Sequence, residues 1–284
     1  MSKELLIAPL KYTLNGNIPP VPLCYTWWHG ALGKQLKMHF PETFDLLYES
    51  RSDQARLYSI QPAFPGNPVL RITLMGPAVG HAFALTQALK WAGRSADMDR
   101  QNFSIQSAEL ESPDGNVLFY MDEQDLIDWP GGIPARRFMA ETEEIQQITV
   151  QLLTPMILKE GNRVVETAPE FAFFFRRLLG RVAQICHAAE SHPLFSKETA
   201  AHWLDAASQV RLTRAILREE SMSRTSRRTH SRMTFSGLTG MLQFEGELGP
   251  FLGMLRVGQK LQMGGKTAFG FGVYKCNNMG EAIE

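Results

Sequence analysis

Residues 237–274 read GLTGMLQFEGELGPFLGMLRVGQKLQMGGKTAFGFGVY. Glycines at 237, 240, 246, 264, 265, 270 and 272 let the backbone turn tightly and approach a ligand with no Cβ in the way. Lys260 and Lys266 add positive charge to the same stretch. Neither of the common phosphate-loop patterns, GxxxxGK[ST] or GxGxxG at a strand-to-helix junction, fits. Gly264-Gly265-Lys266-Thr267 is followed by AFGFGVY, which has the pattern of a strand where a nucleotide-binding loop would run into a helix. The apolar runs Met233 to Glu245 and Leu261 to Tyr274 are expected as glycine-punctuated strands around a bend at Gly249-Pro250.

Upstream lies the strongest charge feature. Ser196 to Arg218 reads as a helix with Ser196 as its N-cap. Arg211, Arg214 and Arg218 recur at i, i+3 and i+7, so on a helix they form one basic ridge. Arg224, Arg227, Arg228 and Arg232 continue the series to seven, against only Glu219 and Glu220, with His230 among them. The whole chain is neutral, with 29 basic and 29 acidic side chains. A local cationic excess can still attract phosphate while the remainder stays neutral or acidic, and it outweighs the plainer reading of a solvated face.

Before that ridge, Ile148 to Leu153 reads as a strand and Glu170 to Ala189 as a helix, with Phe171, Phe174, Phe175, Leu178, Leu179 and Val182 at helical spacing. That periodicity turns the phenylalanines inward, as core rather than base-stacking platforms. The first half repeats the pattern: Leu5 to Leu14 as a strand ended by Asn15-Gly16-Asn17, Trp27 to His39 as a helix, Val69 to Met75 as a strand, His81 to Arg94 as a helix, and Phe103 to Tyr120 as a hairpin about Pro113-Asp114-Gly115. Trp27 and Trp28 point to different sides of their helix, which leaves one of them for the surface. The segment Ile127 to Arg137, IDWPGGIPARR, is the natural boundary loop, and Arg136 and Arg137 in it are candidate phosphate contacts. The expected fold is α+β, two ferredoxin-like (RRM-like) domains in tandem, residues 1–135 and 136–284, the second with an inserted basic helical segment at about 196–232.

Composition agrees with a globular protein: 284 residues, 44% hydrophobic and 20% charged, enough apolar material for two cores and too little charge for a disordered chain. Cys24, Cys186 and Cys276 are odd in number, far apart and without a CxxC pair, so buried thiols are expected in place of a disulfide framework or zinc knuckle. Asp122, Glu123, Asp125 and Asp128 lack a histidine and a nested turn, and read as a solvated connector with no metal. No apolar run is long enough to cross a bilayer and no signal peptide is visible, so a cytoplasmic protein without a membrane partner is expected.

The glycine-rich pattern G-x-x-G-x-x-x-F-x-G-x-L, then G-x-x-x-x-x-G-G-K-T-x-F-G-F-G-x-Y, resembles the C-terminal signature of the CRISPR-associated pre-crRNA processing endoribonucleases of the RAMP superfamily. Thr154 to Lys159, TPMILK, is similar to the T-P-[hydrophobic]-x-[hydrophobic]-K strand end of that family, and Arg224, Ser226 and Arg227-Arg228 to its R-x-S-x-[RK] approach. Leu74 to Ala78, LMGPA, resembles its L-x-G-x-A. Trp28 to Gly33, WHGALG, resembles its first-helix motif L-R-G-A-[FL]-G, with His29 standing where that motif shows arginine.

The resemblance implies an enzyme that cuts CRISPR repeat RNA without a metal or other cofactor, through the ribose 2′-hydroxyl, leaving a 2′,3′-cyclic phosphate. Such chemistry needs a group that exchanges protons near neutral pH and a cation at the phosphate. Of the seven histidines His29, at the start of the first helix, is the candidate, with Tyr25 and Lys34 as helpers; a structural role beside Trp27 and Trp28 is its alternative. His39 suits a helix C-terminus, and His81, His187, His192 and His202 read as helix-end or polar-face residues. RNA contacts are expected from Arg136, Arg137, Arg211, Arg214, Arg218, Arg224, Arg227, Arg228, His230, Arg232, Lys260, Gly264, Gly265 and Lys266. The implied partners are a repeat hairpin, the mature crRNA and other Cas effector subunits. A non-catalytic RAMP subunit that holds crRNA is the alternative function; a generic RRM-type module would show aromatic strand motifs that are not seen.

Overall fold

The computed structural model of the chain describes residues 4–49, 54–94, 102–120, 131–139, 144–225 and 232–278. They form two compact units. Residues 1–138, 184–193 and 268–270 make the first, and residues 139–183, 194–267 and 271–284 the second.

The first unit runs β1 (Leu6–Asn17), α1 (Leu23–His39), α2 (Pro41–Tyr48), β2 (Tyr58–Gln61), β3 (Val69–Met75), α3 (Ala82–Arg94), β4 (Asn102–Ser112), β5 (Gly115–Tyr120) and β6 (Ile133–Pro134). Its sheet is ordered β2-β3-β1-β4-β5, with every neighbouring pair antiparallel, and β6 adds to the start of β1 with Ile7 opposite Ile133. The path β1-α1-β2-β3-α3-β4 in the order β2-β3-β1-β4 is the ferredoxin-like topology. The strand that sequence periodicity missed is β2, whose four residues are too short for a period to stand out.

In the second unit come β7 (Gln147–Met156), β8 (Lys159–Glu160), β9 (Arg163–Val164), α4 (Phe171–Ala188), α5 (Lys197–Ala207), β10 (Arg211–Thr225), β11 (Arg232–Glu245), α6 (Gly249–Leu261) and β12 (Tyr274–Asn278), the last turn of α4 belonging to the first unit. Its sheet order β10-β11-β7-β12 repeats the same topology, and β8 and β9 form a separate short hairpin. The inner face of the sheet carries Ile148, Val150, Leu242, Phe244 and Tyr274, all buried. Phe171 and Phe174 of α4 pack edge-on against Phe244 and Tyr274, and the Tyr274 hydroxyl donates to the Leu255 carbonyl of α6 at 2.9 Å.

Three expectations from the sequence are corrected here. The helix begun at Ser196, whose hydroxyl does cap Thr199, ends at Ala207 rather than continuing through Arg218. Arg211 to Arg218 lie in β10, because a long antiparallel ladder with β11, from Arg211 opposite Glu245 to Thr225 opposite Arg232 with one register shift, outweighs the weak helical spacing of that stretch. Second, Gly249-Pro250 starts a helix and is not a bend between strands: Pro250 stands in the first turn, where its missing N–H costs nothing, and Phe251, Met254, Leu255, Gly258 and Leu261 fall on one buried stripe. Much of Leu261 to Tyr274 is consequently loop, with a short 3-10 turn at Thr267–Phe269. Third, neither tryptophan is at the surface: Trp27 and Trp28 are 6% and 0% exposed, and both rings meet Phe103.

The boundary segment is also more ordered than a linker. Ile133–Pro134 is β6, and Ala135–Met139 forms a 3-10 turn. The acidic residues 122–128, Arg227, Arg228 and His230 lie outside the described residues. Cys24 and Cys186 are buried, and burial pushes the Cys24 thiol up to about 12. No helix is long and apolar enough to cross a membrane among the described residues.

At Gly272 the backbone has φ of +77° and a Cβ would lie 1.7 Å from the Met263 carbonyl oxygen. Gly272→Ala is therefore expected to lower unfolding stability by at least about 2 kcal/mol, from backbone strain plus overpacking. Gly180→Ala, on the exposed side of α4 with nothing within 4 Å, should raise it by about 0.5–1 kcal/mol, as helix propensity requires. Urea denaturation of the two variants checks the contrast.

Candidate active site

His29 stands two turns into α1, and the first unit builds a cage around it. Tyr58, the first residue of β2, places its hydroxyl 2.7 Å from His29 Nδ1. Tyr48, the last residue of α2, stacks on the imidazole with ring centroids 4.7 Å apart, and its hydroxyl donates to the His29 carbonyl at 2.8 Å. Phe269, from the glycine-rich loop, packs on the imidazole with centroids 4.1 Å apart. The histidine itself is half-buried, and its neighbour Gly30 is exposed with open space where a Cβ would stand.

Local sequence explains this arrangement. Gly33, one turn on, has room only for a hydrogen, because a Cβ there would lie 2.7 Å from the Tyr48 ring. Arg56 donates to the carbonyls of Leu47 and Tyr48 at 2.9 and 3.1 Å, satisfying the free C-terminal carbonyls of α2 with a cation at the negative end of its dipole. Gly270, at φ of +91°, brings the loop against Pro62 and Tyr25, from which a Cβ would be 2.8 and 3.3 Å away. Burial raises the Tyr58 and Tyr48 phenols far above their ordinary value, so both remain protonated donors at neutral pH.

A histidine whose Nδ1 is engaged by a fixed hydroxyl has its tautomer and ring orientation set, and proton exchange with a substrate then falls to Nε2. With Nδ1–H donating to the phenol oxygen, a neutral ring presents Nε2 as a base and an imidazolium presents Nε2–H as an acid; a phenol donating to Nδ1 holds the other neutral tautomer, in which Nε2 carries the proton. Tyr25 is buried one turn before His29 on the same helix face, and Lys34 is exposed, five residues on and about 140° around the helix. Tyr58, Tyr48 and Arg56 were not singled out from the sequence, since tyrosines on separate short elements carry no local motif.

In the second unit the glycine-rich loop is shaped by its own backbone contacts. Gly265 N–H donates to Ile157 O at 2.9 Å, and a Cβ on Gly264, whose φ is +85°, would be 2.6 Å from that oxygen. Met263 N–H donates to Gly272 O, and Gly272 N–H to Pro155 O, each at 3.0 Å. Lys266 is exposed with its ammonium 5.3 Å from the centre of the Phe235 ring, and Lys260 is half-buried in the last turn of α6.

The arginines of β10 share a face after all, though for a reason no helix supplies. The ladder shifts register between Leu212 and Arg214, leaving Thr213 as the extra residue of a bulge. Arg211 then faces Glu245, Arg214 faces Gln243 and Arg218 faces Thr239, all on the side opposite the buried Leu242 and Phe244. Arg211 lies 3.6 Å from Glu245, and Arg218 pairs with Glu220 at 2.6 Å and donates to Thr239 at 3.1 Å, so two of the three have partners that the sequence did not reveal. Each arginine is exposed, and ion pairs of that kind contribute only about 0–1 kcal/mol. Arg224 and Arg232 are near the tip of the same hairpin. In the first unit Arg136 is exposed, and Arg137 is ion-paired with Asp114.

Two of the other histidines have structural surroundings: His39 packs on Trp91 and His81 Nδ1 is 2.8 Å from the Thr43 hydroxyl. No group of three metal-ligating side chains occurs among the described residues.

Residues 150–274 match the family model of the CRISPR-associated endoribonuclease Cas6. This stretch carries the Cas6 signature. It contains both the TPMILK strand end and the glycine-rich loop, the two segments whose backbones bond to each other. Solved structures share the fold across nearly the whole chain: a Cas6 of Thermus thermophilus at 18% identity and TM-score 0.64, covering 96% of this chain and 99% of that one, and a Cas6 product complex at 14% identity and TM-score 0.58, covering 96% and 100%. A chain of a partial Cas6-RT-Cas1–Cas2 complex matches at 13% identity and TM-score 0.61, over 100% of this chain and 47% of that one. Sequence comparison with curated proteins gives no match.

Proposed function

We propose that this Cas6-type protein cuts CRISPR repeat RNA without a metal, with His29 exchanging the proton and the ribose 2′-hydroxyl as nucleophile. One observation carries this reading: Phe269 of the Cas6-type loop lies on the ring of His29 from the WHGALG motif, so the two most family-like segments of the sequence converge on one histidine held by Tyr58.

The step balances as an internal transfer. His29 Nε2 takes the 2′-hydroxyl proton, the O2′–P bond forms as the P–O5′ bond breaks, and the departing 5′-oxygen takes a proton from water, leaving a 2′,3′-cyclic phosphate and a 5′-hydroxyl, after which His29 returns its proton to the hydroxide formed. Lys34 and Tyr25 are the proposed helpers on the same helix. A repeat hairpin, read mainly by shape and phosphate contacts, is the proposed substrate. Arg211, Arg214 and Arg218 on the outer face of β10, with Arg136, Arg137, Lys260 and Lys266 and the arginines and His230 of residues 224–232, are its proposed phosphate contacts.

Cleavage is expected to proceed in EDTA and to stop when the scissile nucleotide is 2′-deoxy. A single cut with a cyclic-phosphate end, seen by gel and mass spectrometry, supports the mechanism, and dependence on added magnesium overturns it. Tight binding of the repeat with no cut would point instead to a subunit that only holds crRNA.

His29→Ala should slow single-turnover cleavage about 10²-fold or more, the usual scale for losing a general acid or base, with repeat affinity nearly unchanged. Tyr58→Phe should slow it about 10-fold or more, as for other groups that orient a reacting side chain. Wild-type rates for His29→Ala would move the chemistry elsewhere.

Replacing Arg211, Arg214 and Arg218 together by glutamine should weaken repeat binding and reduce the slope of log affinity against log salt by about 2–3, near 0.7–0.9 per lost phosphate contact. The inner face of β10 is untouched, so thermal melting should stay at wild-type values. Unchanged slope in the folded variant would mark these arginines as an ordinary solvated edge.

A further inference from the structure

On α4, Phe174, Leu178 and Ile185 form a buried stripe, and position 181, three residues after Leu178 and four before Ile185, belongs to it. The sequence puts an arginine there. Arg181 is only 9% exposed. Its Nη2 donates to the Thr267 hydroxyl at 3.0 Å, while its Nε is buried with no hydrogen-bond acceptor among the described residues. None of the described carboxylates lies within ion-pair distance of it. Removal from water is the cause that lowers the guanidinium to about 10, with no opposing charge to raise it.

A guanidinium this buried is costly unless an anion shares its site, and one neutral hydroxyl offsets little of that cost. Loop shape adds a second feature. Thr267 is preceded by a residue in an unusual conformation: Lys266 has a positive φ of 65°, rare for a residue with a side chain, and its exposed ammonium lies 5.3 Å from the centre of the Phe235 ring. Gly264 and Gly265, earlier in the same loop, are partly exposed. A planar fork of N–H donors, a hydroxyl and an ammonium suit the tetrahedral oxygens of a phosphate group better than any protein carboxylate within the unit.

We propose that Arg181, with Thr267 and Lys266, forms an anion site in the second unit that takes one phosphate group of a bound polynucleotide. The polynucleotide rests on the RNA-processing reading above; the anion site does not. In the free protein Arg181 carries an uncompensated cost, and the arriving phosphate supplies the acceptor that its Nε lacks.

The competing role is a staple that merely ties the loop to α4, and the two differ in sign. The full-length protein is melted in inorganic phosphate and in chloride at matched ionic strength, as wild type, Arg181→Met and Thr267→Val. Arg181→Met keeps the apolar stem and removes the charge. The site requires that phosphate raise the wild-type melting temperature above the chloride value, that Arg181→Met melt at or above wild type in chloride, and that Arg181→Met lose the phosphate response. A lower melting temperature for Arg181→Met in chloride, with the phosphate response retained, identifies a staple and overturns the site. In a second arm, the salt dependence of single-stranded RNA binding is compared: the slope should fall by about 0.7 for Arg181→Met, one phosphate contact. A lost phosphate response with an unchanged RNA slope overturns the polynucleotide assignment. Neither arm uses cleavage, so a protein that fails to cut repeat RNA leaves both results standing.

Discussion

The closure of residues 263–272 on themselves and on the end of β7 is the constraint from which the rest follows. Met263 and Gly272 bond back to back, Gly272 bonds to Pro155 and Gly265 to Ile157, and at Gly264 and Gly272 there is no space for a side chain. Hydrogen bonds of this kind are individually modest, but here they join with positions where a Cβ would collide with a backbone carbonyl to restrict the path of the chain. In the second unit the loop backbone is therefore restrained where it carries Lys266 and Thr267.

Pre-positioning of that sort is what proton transfer demands. A half-buried imidazole with its ring held by Tyr48 and Phe269 and its Nδ1 held by Tyr58 loses little freedom when a substrate arrives. Burial keeps both phenols protonated, so Tyr48 donates to the His29 carbonyl and Tyr58 meets Nδ1 as a neutral hydroxyl able to donate or accept. Arg56 and Gly33 act one step further back, the first by ending α2 where Tyr48 must lie and the second by leaving room for its ring. The proposed RNA face has the opposite character: exposed arginines on one side of β10, weakly paired, suited to exchange a carboxylate for a phosphate.

Much of this was legible in the chain. The glycine-rich motif, the amphipathic stripe of α4 and the alternating first half pointed to two ferredoxin-like units and to a Cas6-type loop, because glycine requirements and helical periodicity are local properties written into neighbouring residues. His29 could be named as a candidate for the same reason: it sits in a short motif. Its partners could not. Tyr58 lies on a four-residue strand and Tyr48 at a helix end, and their convergence depends on β2 pairing with β3, Tyr58 opposite Leu74, a contact between segments distant in sequence.

The same division holds for the arginines. Sequence by itself determined that positive charge accumulates from Arg211 onward. Only the tertiary structure decided that residues 211–218 are strand, since their spacing suits a helix and the ladder with β11 is a long-range pairing that no local pattern encodes. It decided too that a bulge at Thr213 returns all three arginines to one face, and that Arg181 meets Thr267, 86 residues away, with no carboxylate beside it among the described residues. Local chemistry fixes which residues can form each element; which elements meet depends on burying the largest apolar surface at once, and that is a property of the whole chain.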